Sequence, residues 1–65
     1  MRVQGVEHSL QEARRREVFR LLVTAQDLEM TVAESRQMVA HTCRLTASQV
    51  IQIEREGLAG SWPPL

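Results

Sequence analysis

Leu10, Ala13, Val18, Leu21, Leu22, Ala25 and Leu28 recur at spacings of mostly three and four along the first part of the chain. That period puts them on a single stripe of a helix. Phe19 and Val23 lie beside the stripe and widen it, while Arg14, Arg15, Arg16 and Arg20 fall mainly on the other flank. The run Ser9-Leu10-Gln11-Glu12 has the form of a capping box, in which the serine oxygen accepts from a free first-turn amide and the glutamate reaches back. A helix is therefore predicted over residues 10–28. Its end falls either near Val23, with Thr24 to Asp27 making a separate turn, or at Glu29.

Two shorter helices follow by the same logic. Thr31-Val32-Ala33-Glu34 is a second box, opening a helix that turns Val32, Val39, Ala40 and Cys43 inward with Met38 at the border. Thr46-Ala47-Ser48-Gln49 is a third, with glutamine in the role of glutamate. Its helix turns Val50 and Ile53 inward and is expected to end at Gly57, a residue suited to a left-handed cap. Beyond it, residues 58–65 include Trp62, Pro63 and Pro64, which forbid a helix and favour an extended tail. No alternating run of β-branched and aromatic residues signals a strand. The expected class is all-α: a helix over 10–28, a helix-turn-helix over 32–57, and an extended Trp-Pro-Pro tail.

Size limits what such a chain can do. At 65 residues it is one domain, and a chain this short buries only about 60% of the surface exposed when unfolded. Stability then calls for a staple or a partner, and a homo-oligomer or a larger protein partner is expected. One cysteine excludes an internal disulfide and suits a reducing compartment. No run approaches the roughly 20 apolar residues of a bilayer span, so a cytoplasmic protein without membrane contact is expected. No nucleophile, base and orienter can be assembled from Ser9, His8 and Asp27, and no glycine-rich phosphate loop occurs, so neither catalysis nor a cofactor is expected. His41 and Cys43 invite a metal reading, but a zinc site needs four ligands and only His8 is left to recruit. A buried structural thiol is the better account of Cys43.

The short break between Thr42 and Thr46 forces the last two helices to turn sharply against each other, the pattern of a helix-turn-helix. Val39, Cys43, Leu45, Val50 and Ile53 supply its apolar contacts, and Ala40 the small residue where the helices cross. Within residues 35–58 the chain resembles the fourth conserved region of bacterial housekeeping sigma factors, most closely at Leu45-Thr46, Gln52-Ile53-Glu54-Arg55-Glu56 and Leu58. That resemblance implies a second helix docked in the major groove of a promoter. The chain departs from the family pattern where Ala47 and Ser48 stand for an arginine-glutamate pair, Ile51 for an arginine, Arg44 for the turn glycine and Gly57 for an alanine. Only Gln52 carries over as a reader of base edges.

Charge sharpens the choice between two functions. The net charge is zero, and the first half holds most of the arginines, whereas from Asp27 onward acids outnumber bases. With Val50, Ile53 and Gly57 inward, the outward face of the last helix is Ser48, Ile51, Gln52 and Arg55, with Glu56 close by. One reading is a small transcription-associated DNA-binding protein that uses Ser48, Gln49, Gln52 and Arg55, with Arg44 and Arg36. The other is a protein-interaction module, derived from a helix-turn-helix, that binds itself or a partner through Ile51, Trp62 and Phe19. Arg14 to Arg16 with Arg20 either approach phosphates or form a solvated face paired with Glu12 and Glu17. Trp62 either docks on a partner or folds back over the core, which needs the area.

Overall fold

A computed structural model describes residues 10–65 and contains three helices: α1 (Glu12–Asp27), α2 (Val32–Cys43) and α3 (Ala47–Gly60). Each helix packs on both others. The core between them holds Val18, Phe19, Leu22, Val39, Ala40, Cys43, Val50, Ile53 and Trp62, with Leu10, Val23 and Leu45 against its edge.

The predicted stripe of α1 divides in its packing. Val18, Phe19, Leu22 and Ala25 are buried, so Phe19 is at the centre rather than the margin. Ala13, Leu21 and Leu28 point away from the core and are exposed. A three-and-four spacing admits both sets because the apolar residues of α1 occupy more than one side. Val32, expected inward on α2, is likewise exposed, and Ser35 takes the buried place one turn on.

The starts of α2 and α3 follow the predicted chemistry. In each, the threonine oxygen accepts from the amide three residues on, and the Glu34 or Gln49 side chain accepts from the threonine amide. These reciprocal bonds satisfy amides that have no partner within the helix. For α1 the boundary residue is Gln11, which makes no side-chain cap bond. With Glu12 at the first helical position, its carboxylate accepts from Arg16 instead of reaching back. The expected cap Ser9 lies outside the described residues.

All three helices end the same way. Glu29, Arg44 and Ser61 have φ of 71°, 58° and 51°, and each is followed by an apolar residue whose amide returns to the last turn. The bonds are Met30 N–H to Ala25 O, Leu45 N–H to Ala40 O and Trp62 N–H to Gly57 O. This is the Schellman arrangement, which usually employs glycine at the left-handed residue.

Gly57 does not end α3. It sits inside the helix, buried against the face of Phe19, and a Cβ there would lie 2.6 Å from Phe19 Cγ. The glycine is a packing choice, and the cap passes to Ser61. Nor is the tail extended. Trp62 is 6% exposed and meets Phe19 edge-on, with ring centroids 6.0 Å apart. The Arg16 guanidinium lies 4.8 Å from the Trp62 ring centroid on its outer side. Leu65 N–H then closes a turn onto Trp62 O at 3.0 Å, across a cis Pro63–Pro64 bond.

Candidate nucleic-acid interface

The α2–α3 junction begins at Arg44, whose left-handed backbone (φ 58°, ψ 45°) reverses the chain without glycine. Leu45 folds back under the turn through its 2.8 Å bond to Ala40 O, and the Thr46 box fixes the first turn of α3. Val50 and Ile53 anchor the inner side. Ser48, Gln52 and Arg55, at spacings of four and three, therefore share the outward side and are exposed, with Ile51 half-buried beside them.

Two sets of polar contacts clamp α3 from behind. Arg15 on α1 donates to both carboxylate oxygens of Glu56, at 2.8 and 3.0 Å. This hydrogen bond raises the Arg15 pKa above its ordinary value. Arg36 on α2 donates to Glu54 at 2.8 Å, and Gln26 on α1 donates both to Glu54 and to the buried Ser35 hydroxyl. Ser35 in turn donates to Val32 O, so its hydroxyl is satisfied on both sides. The Gln26–Ser35–Glu54–Arg36 set joins all three helices.

These contacts redistribute the charge that sequence reasoning weighed. Both glutamates that flank Arg55 are drawn toward α1 or α2. Arg14 pairs with Glu17 and Arg16 with Glu12, the helical spacings expected for a solvated face, while Arg15 makes the longer-range pair with Glu56. Among the described residues, Ser48, Gln52, Arg55 and Arg44 enter no side-chain hydrogen bond or ion pair, and Arg20 is the other arginine in that condition. A neutral chain thus presents a helix-turn-helix face whose cations are not cancelled.

Not every residue expected at a DNA interface shares this outward side. Gln49 is occupied by the Thr46 cap, and Arg36 is held by Glu54, so both position α3 rather than face outward. Phe19 and Trp62, expected as partner contacts, are core residues with nothing to offer a surface. Ile51 alone of that trio stays at the surface. Sequence reasoning missed Ser35 and Gln26, and only the spacing of small and amide residues on facing helices could have hinted at them.

Among the described residues no group of histidine, cysteine and carboxylate side chains could hold a metal, and Cys43 is buried as a free thiol. No described helix is long and apolar enough to cross a membrane. No family profile, characterised protein or solved structure matches this chain.

Proposed function

We propose that the protein binds DNA through α3, as a small transcription-associated helix-turn-helix module of the kind the sigma-like residues suggest. The observation that carries this reading is the fate of the arginines. Those of α1 and α2 are mostly neutralised inside the molecule, whereas Arg44 and Arg55 border the outward face of α3 without an internal partner. In a major groove, Gln52 has the geometry to donate and accept on an adenine edge, and the half-buried Ile51 suits a thymine methyl. Ser48 lies in the first turn of α3, where free amides and the helix dipole favour a phosphate. Arg44 and Arg55 neutralise backbone charge on either side. The competing trio of Ile51, Trp62 and Phe19 is weakened, because two of its members are buried.

So few cations make a modest electrostatic contribution. With two or three phosphates neutralised, log affinity should fall against log salt with a slope of about −2 to −3. Fluorescence anisotropy against mixed genomic duplexes at two salt concentrations tests this directly. Binding at low salt that weakens with that shallow slope supports the reading. A titration that stays flat at low salt, where even nonspecific binders respond, overturns it.

A further inference from the structure

The apolar residues of α1 make two lines, and only one is used. At about 100° per residue, Val18, Phe19, Leu22 and Ala25 fill the packed side. Ala13, Leu21, Thr24 and Leu28 fall a little over a third of a turn away, with Leu21 42% and Leu28 73% exposed. A shallow groove of about 370 Å³ runs along this outer side, lined by Glu17, Arg20, Leu21 and Thr24. Its charges are distributed unevenly. Arg20 borders the line near the middle of the helix, and Asp27 borders the same flank seven residues on, with Glu29 just past the helix end. Among the described residues none of these three makes an ion pair or side-chain hydrogen bond, although the neighbouring Arg14, Arg15 and Arg16 all do.

A face with an apolar line, a cation at one end and anions at the other is complementary to itself when turned end for end. We propose that the outer face of α1 pairs antiparallel with the same face of a second copy of this chain, about a two-fold axis near Thr24. Leu21 of each copy then packs on Leu28 of the other. In an antiparallel helix pair each flank meets the same flank of its partner, so Arg20 comes opposite Asp27 and Glu29 of the second copy. In a parallel pair each flank would meet the other flank of its partner, so Arg20 would have neither Asp27 nor Glu29 opposite it, which favours the antiparallel arrangement. The contact leaves α3 free and does not rest on DNA binding.

Sedimentation equilibrium of the full chain across micromolar to millimolar concentration tests the pairing, with circular dichroism confirming that each variant stays helical. The wild-type protein should show a monomer–dimer equilibrium. Leu28→Glu should abolish it, and Arg20→Glu should weaken it at least about tenfold, since the two-fold axis repeats each like-charge contact. Combining Arg20→Glu with Asp27→Arg and Glu29→Arg should restore the dimer, a result that a merely structural role for these residues would not produce. A monomer at every concentration overturns the proposal. A dimer indifferent to these changes, or one that the charge exchange fails to rescue, overturns it as well.

Discussion

Along its inner side α3 has no slack. Val50 and Ile53 are closed in by the other helices, Gly57 accepts the Phe19 ring only because it has no Cβ, and Trp62 locks the far end. Along its outer side, Ser48, Gln52 and Arg55 touch nothing that the fold requires. The two sides are nearly half a turn apart on one helix, yet one is specified by packing and the other is left unspecified by it. A face whose polar residues have no part in holding the fold is where a binding function can reside at little cost to stability. The contrast can be attacked from either side.

The largest effect should come from the inner side. Trp62→Ala removes a buried aromatic ring from the edge of Phe19 and from beneath Arg16, a change that typically costs about 3–5 kcal/mol. In a domain with so small a core, urea or thermal unfolding followed by circular dichroism should show a variant close to the limit of folding. An unchanged midpoint would mean that the tail is not part of the core.

Gly57→Ala sets two effects against each other. Alanine is the better helix former by about 1 kcal/mol, and on an exposed helix it would stabilise. Here the new methyl meets the Phe19 ring, and overpacking of this kind costs about 1–3 kcal/mol. The net expectation is a lower unfolding midpoint. Phe19→Leu in the same chain should recover part of the loss, because it withdraws the ring that the methyl strikes. A stabilised Gly57→Ala variant would show that Phe19 moves aside freely and that the inner side is looser than described.

What the sequence made legible follows the same division. The Thr31 and Thr46 boxes, the inward Val39, Ala40, Cys43, Val50 and Ile53, and the sharp turn at Arg44 are local patterns, and they appear where the spacing puts them. Gly57 was misread because a glycine late in a helix signals a cap, whereas its role depends on Phe19, far away in the chain. The extended form expected of the tail fails for a related reason, since two prolines exclude a helix but allow a turn, whereas Trp62 folds back over the core as the need for buried area leads one to expect. The place of Glu56 beside the outward face in sequence is likewise a poor guide to its partner. Its carboxylate is held by Arg15, 41 positions earlier, a pairing that no local pattern encodes.

On the outer side, Gln52→Ala should leave the unfolding midpoint within about 0.5 kcal/mol of wild type, as expected for an exposed surface residue. Under the DNA reading it should weaken binding at a preferred site by about 1–3 kcal/mol, with a smaller loss on unrelated duplexes. A Gln52→Ala variant that unfolds early would erase the distinction between the sides of α3. One that is stable and binds a preferred duplex as well as wild type would remove Gln52 from the interface.

The smallest effect is expected at Arg44, where the two sides meet. Its backbone is left-handed, a conformation that costs a residue with a Cβ about 1–2 kcal/mol and glycine almost nothing. Glycine also loses more chain entropy on folding, so Arg44→Gly should stabilise the protein by no more than about 1 kcal/mol. If Arg44 neutralises a phosphate, the same substitution should reduce the salt slope of DNA binding by about 1 while affecting all duplexes alike. Arg44→Lys separates the two contributions, since it retains the charge and the strained backbone together and should leave both stability and slope near wild type. Ser61 holds the same conformation at the end of α3 and serves as the control. Glycine there should add a similar small stability without changing the salt slope. Should both glycine variants gain stability equally and neither alter the slope, Arg44 would be a cap like Ser61, and the cationic border of the proposed interface would contract to Arg55.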